Sequence, residues 1–558
     1  MQGCDEKHSL PVAKAVVSCC QSRYNADLIF SYESELFQMT IKSTLKNLIA
    51  TAGLFLFFSL LHLCFGYEYK FIYVLSAAAL FVFCLSLSKI LYIALIVIYW
   101  LAGLIYGAVG LNYGYPDVNA IGSLMYTDNN ESLEYIAGLP VKTYLYLGVM
   151  TVSAVVACLL STPKKRSWRL TLFIIFFISA FWSSSKDYIQ GKSEGITSVF
   201  KSGLPEIRFF RDSYNSYAQI RKDNLRYAKV IETSDHWDPV VHDTGYDTYI
   251  LVIGESVRKD FMQAFGFTHY PNTPWMSNRN GIFFDNYISA AGSTTLSLTN
   301  ALAVREGNII NLNDNVVALA NKAGFHTYWI SNQHLKGIYD SPVGIMGKKA
   351  GFAHFVAPNR SDKGGPDEML LPFVRDALAE SSGKQLIVVH LNGSHPQPCS
   401  RLTENFDKFI GSRNISCYVK SIENTDKLLS DIAQMAGKDN RRWTMAYFSD
   451  HGLMFVDKGT ENTNVTHGDS VKPNFQVPFF ITAYDAQSQT RINHFRSGLS
   501  MLPLLSQWLG IEDKKLDKTC DWLKDTQCAG QDKVVNFKNE LQDFSKLPDD
   551  DLVLPATK

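Results

Sequence analysis

The sequence predicts two parts built for different solvents: an α-helical membrane domain of five transmembrane helices, then an α/β/α domain on a mainly parallel sheet. Two observations predict this. From about Leu48 to Trp182 apolar runs dominate, whereas the rest has the mixed composition of a globular domain. From Thr248 to about Gly510, short β-rich runs alternate with helical ones. The chain has 558 residues, 46% hydrophobic and 13% aromatic, enough for several domains and a large core. A mean hydropathy near zero conceals the division between the parts.

Five segments approach the roughly 20 apolar residues that cross a bilayer. They are Leu48 to Phe65, Phe71 to Leu87, Ile90 to Val109, Tyr144 to Leu160 and Trp168 to Trp182. Lys42 and Lys46 precede the first, Lys89 separates the second and third, and Lys164, Lys165, Arg166 and Arg169 lie between the fourth and fifth. The loop from Asn112 to Pro140 has four acidic residues, Asp117, Asp128, Glu131 and Glu134, and no cation. Lys70 and Lys142 are outnumbered exceptions. Cations near a span stay on the cytoplasmic side, so the N-terminus is expected inside and everything after Trp182 outside. The first apolar run lies too far from the N-terminus, with other spans after it, to read as a cleaved signal.

The expected boundaries are a cytoplasmic extension at 1–42, the membrane domain at 43–184 and bridging helices at 185–247. The external domain follows at 248–535 and a polar, peripheral tail at 536–558. Within the bridge, Glu206 to Glu232 has helical periodicity with Ile207, Phe210, Tyr214 and Tyr217 on one side, which suits a membrane-interface helix or one packed on the domain. Strands are expected at Thr248–Ile253, His326–Ile330, Leu386–Leu391, Trp443–Phe448 and Val477–Thr482, and helices at Asp314–Lys322 and Val419–Ala436. Of ten cysteines, Cys399, Cys417, Cys520 and Cys528 fall outside the membrane, spaced to permit the pairs 399–417 and 520–528. Charge is balanced, 53 basic against 53 acidic, and gives no reason to expect a nucleic-acid partner.

Chemistry concentrates at four segments. Glu255 follows the strand from Thr248, and Asp450-His451-Gly452 follows the strand from Trp443, so two carboxylates and an imidazole stand at strand C-termini. Ala290 to Ser297 is a small-residue turn dense in hydroxyls, and His390 to Pro396 follows a Leu-Ile-Val-Val run. His467-Gly468 completes the set. Singly, these residues have plainer readings. Glu255 alone is a solvated loop residue, the Thr/Ser turn a helix N-cap, His390 a packed histidine and Lys336 a surface lysine.

Taken in this order behind five spans, the segments resemble the inner-membrane phosphoethanolamine transferases of the alkaline phosphatase and sulfatase superfamily, over roughly Leu48 to Gly510. The Gly292–Leu302 turn and the Gly393-Ser394-His395-Pro396 element look most like members that decorate periplasmic glucans. The resemblance implies an alkaline phosphatase-like fold and a zinc site of Glu255, Thr295, Asp450 and His451, with Thr295 also the nucleophile. Thr295 is chosen over Ser293 and Thr294 by aligning the turn with the family's Gly-Thr-Ser-Thr. It implies His395 and His467 as contacts to the phosphoryl group or to a second metal, Asn332 and Lys336 as lining residues, and Thr127 and Glu131 as binders of the ethanolamine head. The family's Asn four residues before that Thr is Ser123 here. One zinc ion is expected and manganese is the alternative, the donor types being mixed carboxylate and imidazole.

The implied reaction moves phosphoethanolamine from phosphatidylethanolamine to a periplasmic glycan or lipopolysaccharide through a phosphoethanolamine-threonine, in a monomeric integral membrane protein. Phosphoglycerol transfer or hydrolysis on the same fold, and a non-catalytic membrane sensor, are the competing readings. A sulfatase is disfavoured because Cys/Ser-x-Pro-x-Arg is absent near Thr295.

Overall fold

The computed structural model describes residues 41–127, 129–163, 168–190, 203–229, 232–307, 309–335, 341–356, 365–380, 383–403 and 408–553. They form two compact units, one drawn from the described residues of 41–107 and 145–208, the other from those of 108–144 and 209–553. The 108–144 segment thus groups with the globular unit, which corrects the expected 43–184 domain.

Helices occupy the expected apolar stretches. Ile41–Cys64 and Lys89–Tyr113 are long and apolar enough to cross a membrane; Phe71–Leu87, Val141–Ala157 and Trp168–Trp182 are shorter apolar helices. Outward residues such as Ile90, Leu145, Val152 and Leu170 are apolar and exposed. Two polar contacts tie helices together. Lys89 Nζ donates to the carbonyls of Cys158 and Leu160, both at 2.6 Å, placing a cation at the C-terminus of Val141–Ala157. His62 Nε2 and Glu206 Oε1, both buried, lie 2.8 Å apart.

The second unit is organised by a sheet of eight strands. Its order is Gln489–Ile492, Gly281–Phe284, Phe479–Ala483, Trp443–Ser449, Thr248–Gly254, Gln385–His390, His326–Ser331 and Phe352–Phe355. Trp443–Ser449, Thr248–Gly254, Gln385–His390, His326–Ser331 and Phe352–Phe355 run parallel. Phe479–Ala483 pairs antiparallel with both of its neighbours, so the sheet is mixed. The parallel half carries the chemistry, and its register sets Gly254 beside Ser449.

Side chains alternate between two buried layers along the central strand. Tyr249, Leu251 and Ile253 join the core on one face, under the helices Thr294–Leu302, Val316–Lys322 and Met501–Leu509. Ile250 and Val252 join the core on the other, under Leu371–Ala379 and Arg413–Ala436. Burial on both faces explains why these strands read as unbroken apolar runs rather than alternating ones. Both expected cysteine pairs of the second unit, Cys399–Cys417 and Cys520–Cys528, are disulfides.

The C-terminal residues are not a peripheral tail. Lys533–Val535 pairs with Leu541–Asp543, and Val534 and Phe544 pack with Ile288 and Phe475. Asp550 is buried, accepts from Arg258 Nη1 at 3.2 Å, Lys458 Nζ at 2.7 Å and the Phe455 amide at 2.8 Å, and its carbonyl takes Arg258 Nη2 at 2.7 Å. Arg258 is itself fully buried, three residues after Glu255. Asp550→Ala would leave a buried guanidinium with Asp260 as its one acid among the described residues, and is expected to destabilise the protein by about 3 kcal/mol in denaturant unfolding.

Candidate active site

Two strand ends fix the carboxylates. The Asp450 amide donates to Gly254 O at 3.0 Å, and the Leu391 amide to Ile253 O at 2.9 Å, so three adjacent strands end level. Beyond Gly254 the chain turns sharply through Ser256, which has φ of 61°. That left-handed conformation costs a non-glycine residue on the order of 1 kcal/mol and survives only where surroundings hold it. Here the Ser256 amide donates to Asp450 Oδ1 (3.0 Å), its hydroxyl to Glu255 Oε1 (2.6 Å), and its carbonyl accepts from the Tyr418 hydroxyl (2.6 Å). Gly393, at φ of 47°, lies against the same corner. A Cβ there would come within 2.9 Å of Glu255 O, so only glycine fits.

Glu255, Asp450 and His451 are fully buried. His451 Nε2 lies 3.2 Å from Glu255 Oε1 and 3.6 Å from Asp450 Oδ2. Its Nδ1 is 2.8 Å from Gly452 O, a group that only accepts, so Nδ1 carries a proton and Nε2 faces the carboxylates. Ligand atoms of Glu255, His451 and His467 lie within 4.8 Å of one another. Asp450 Oδ1 accepts the Ser256 and His451 amides, whereas its buried Oδ2 has no hydrogen-bond partner among the described residues.

These residues fit a divalent cation. Two buried carboxylates, an imidazole nitrogen aimed between them and an orphaned carboxylate oxygen form a donor set whose charge asks for a cation. Without one, burial depresses the His451 imidazolium, but Asp450 and Glu255 outweigh it and raise the group to about 9. Burial raises Glu255, yet the His451 charge wins and holds it well below the usual carboxylate range. Asp450 goes the other way, raised by burial and by Glu255. A bound metal takes the place of the His451 proton, so affinity is expected to rise with pH up to about 9 and level off above it. Zinc titration calorimetry at pH 7.5 in buffers of different ionisation heat should show net proton release on binding.

The hydroxyl at this cluster belongs to Thr294, not Thr295. Thr294 Oγ1 donates to Glu255 Oε2 at 3.0 Å and lies 3.3 Å from His451 Nε2. Among the described residues the Thr295 hydroxyl makes no hydrogen bond to Glu255, Asp450 or His451. Ser293 is the N-cap of the helix Thr294–Leu302, and consecutive helical residues point about 100° apart, so only one threonine can face the cluster. The turn is locked because Ser297 Oγ donates to Asp450 O at 2.5 Å and a Cβ on Gly292 would collide with Gly468 O at 2.2 Å. Thr294 thus stands where unpaired helix amides favour an anion.

His395 and His467 flank the cluster. Their ring centroids are 5.2 Å apart, and His467 is 5.0 Å from His451. Arg401 Nη2 is 3.2 Å from His395 Nδ1; a guanidinium only donates, so Nδ1 accepts and Nε2 keeps a proton. Burial, then the Arg401 charge, push His395 down to about 4, leaving it neutral. Burial and both neighbouring histidines hold His467 well below its ordinary value.

Other expected residues fall elsewhere. Asn332 does not reach the cluster; its Nδ2 donates to Gly365 O and Asp367 Oδ1, and Asp367 accepts the Asn392 and Gly393 amides, so it braces the His395 loop from behind. The residue that does reach it is Gln333, whose Nε2 donates to Glu255 Oε2 at 2.9 Å and Leu391 O at 3.0 Å. Gln333→Ala is expected to weaken zinc binding about tenfold in chelator competition, the usual effect of removing a partner that orients a ligand. Thr127 is the C-cap of Val118–Tyr126, with Oγ1 donating to Ser123 O at 2.6 Å. Glu131 is in the helix Asn129–Ala137. The Glu131 side chain and Lys336 lie outside the described residues.

Residues 247–511 match the sulfatase family model. The phosphoethanolamine transferase OpgE of Escherichia coli (strain K12) is 32% identical over 90% of this chain and 95% of its own length. The chain belongs to the phosphoethanolamine transferase family. Another of these transferases, EptC of the same strain, is 20% identical over 77% of this chain and 81% of its own. The integral membrane lipooligosaccharide phosphoethanolamine transferase A of Neisseria meningitidis superposes with a TM-score of 0.50 and 15% identity, over 85% of this chain and 98% of its own. That likeness extends the shared transferase fold into the helical N-terminal part.

Proposed function

We propose that this phosphoethanolamine transferase takes phosphoethanolamine from phosphatidylethanolamine and passes it to a hydroxyl of a periplasmic glucan or lipopolysaccharide, with Thr294 as the carrier. The Thr294 hydroxyl, 3.0 Å from Glu255 and 3.3 Å from His451 at a helix N-terminus, supports this reading above all. The membrane arrangement in it has five helices, the N-terminus in the cytoplasm and the globular unit in the periplasm.

Zinc held by Glu255, Asp450 and His451, once bound, supplies the positive charge that lowers the pKa of a nearby hydroxyl and offsets phosphoryl charge. The remaining work falls to the chain. The Thr294 oxygen attacks phosphorus, the bond from phosphorus to the glycerol oxygen breaks, and diacylglycerol leaves. The proton lost by Thr294 is balanced by the one that the departing oxygen gains. In the second displacement the acceptor hydroxyl attacks phosphorus, the bond from phosphorus to the threonine oxygen breaks, the acceptor's proton is released and the threonine oxygen regains one. His467, neutral and beside the cluster, is the base placed to carry these protons. The His395 Nε2–H also offers a hydrogen bond to a phosphoryl oxygen. Glu131 and Thr127 are the proposed contacts for the ethanolamine ammonium, through a carboxylate charge and a hydroxyl lone pair. Splitting the transfer means lipid donor and polar acceptor never share the site.

The reading is tested by incubating the reconstituted protein with zinc and vesicles of phosphatidylethanolamine labelled in ethanolamine. Diacylglycerol release with label moving to added glucan or lipopolysaccharide is expected. Release from phosphatidylglycerol alone would replace the donor, and no release from either lipid would overturn the reading.

A further inference from the structure

The C-terminal hairpin of Lys533–Val535 and Leu541–Asp543 meets three parts of the second unit. Its first strand is laid along the turn that leads to Thr294: the Val535 amide donates to Ala290 O at 2.8 Å, and Val535 pairs with Ala291. At its tip the Phe537 amide donates to Asp469 Oδ2 at 2.7 Å, two residues past His467, and Gln542 Nε2 donates to Asp469 O at 3.2 Å. The Phe537 carbonyl accepts from Asn119 Nδ2, and the Phe537 ring lies 5.6 Å from that of Tyr113, whose hydroxyl is hydrogen-bonded to the Thr466 side chain. The tip keeps this shape because Asn536 Oδ1 accepts the Lys538 and Glu540 amides, both at 2.9 Å, and Asn539 takes φ of 60°, a conformation asparagine tolerates. Lys538 offsets the charge of both Asp117 and Asp469.

We propose that Phe537 is a clasp that keeps the 108–144 segment in register with His467 and the Thr294 turn, which makes Phe537 and Asn119 positioning residues for donor binding. The proposal rests on the transferase reading, in which Thr127 and Glu131 hold the ethanolamine ammonium. Asn119 is the second residue of the helix Val118–Tyr126 and Thr127 is its C-cap, so the clasp grips the start of the helix whose end carries Thr127. A helix rises about 1.5 Å per residue and moves as a rod, so a shift at Asn119 is passed to Thr127 about 12 Å along. A misplacement of about 1 Å can cost about a hundredfold. The helix Pro205–Ala228 also holds the segment, through Ser216 Oγ to Pro116 O and the Tyr126 hydroxyl to Asn224 Oδ1, both at 2.9 Å, but neither bond touches the loop of His467. Phe537 does. The zinc corner has bonds of its own, among them Ser297 Oγ to Asp450 O, so loosening the clasp weakens donor binding and spares the attack on phosphorus.

The test uses full-length reconstituted protein: wild type, Phe537→Ala, Asn119→Ala and Phe537→Tyr, the last retaining the ring. Hydrogen exchange, which needs no turnover, is expected to run about tenfold faster over Ala120 to Thr127 in both alanine variants. Zinc affinity in chelator competition should stay as in wild type. KM for phosphatidylethanolamine should rise about tenfold with kcat within about threefold, the signature of lost binding, and Phe537→Tyr should match wild type in every readout. Asn119→Ala removes one amide from a partly buried contact, so it decides the matter where Phe537→Ala fails to fold. Unchanged exchange and KM in the folded alanine variants, a fall in kcat at constant KM, or an equal loss of zinc affinity would overturn the proposal. A wild type that releases no diacylglycerol would overturn the transferase reading, and exchange alone would then decide whether the clasp exists.

Discussion

Thr294→Ala is expected to lose lipid-dependent transfer by a thousandfold or more, while Thr295→Ala keeps it within about tenfold of wild type. The contrast is large because the two hydroxyls, adjacent in sequence, have unrelated surroundings. Thr294 Oγ1 lies within hydrogen-bonding reach of Glu255, whereas the Thr295 backbone carbonyl accepts from Thr299 one turn along its helix. Removing the attacking oxygen removes the covalent step, which no neighbour replaces at the same point. Thr294→Ser retains a hydroxyl there and should retain measurable transfer. Diacylglycerol release from mixed micelles, measured for all three variants at equal zinc content, decides the matter. Equal losses in the Thr294 and Thr295 alanine variants would deny the geometry its meaning.

The second large effect is expected on removing the metal. Glu255, Asp450 and His451 have no exposure, so the charge balance of the corner depends on what lies between them. A ligand present at a thousand times its dissociation constant stabilises the folded state by about 4 kcal/mol. Chelation should therefore lower the melting temperature by several degrees and abolish transfer, and zinc should restore both. Asp450→Asn reduces the charge at the orphaned oxygen and weakens the donor set, so its melting temperature should respond little to chelator. A variant that still gains the full zinc stabilisation would remove Asp450 from the ligand set.

Much of this architecture was legible from residues alone. Strands buried on both faces announce themselves as apolar runs, and Thr248–Gly254, Gln385–His390 and Trp443–Ser449 lie where those runs predicted. The edge strands Phe352–Phe355 and Gln489–Ile492 were not legible, being short and partly exposed, nor was Gly281–Phe284, a buried strand of four residues next to one edge. Glu255, Asp450 and His451 were recoverable because each follows a readable strand. Choosing between Thr294 and Thr295 was not, since the choice rests on helix phase at a capped turn and a one-residue shift rotates the side chain by about 100°. Gln333 was passed over for its neighbour Asn332 for a related reason. An amide after a strand end carries no charge signature, and only the fold shows which of two adjacent amides faces Glu255. The role of Asp550 was hidden by distance, 292 residues from its partner Arg258 in a polar stretch.

The most direct test of the central claim is the intact mass of the zinc-loaded protein after brief exposure to phosphatidylethanolamine without acceptor, with peptide mapping of the product. The account predicts one phosphoethanolamine on wild type, located on Thr294, lost on adding acceptor and absent from Thr294→Ala. An adduct on Thr295, or transfer to acceptor with no adduct on any residue of the Gly292–Leu298 turn under rapid quenching, would contradict it.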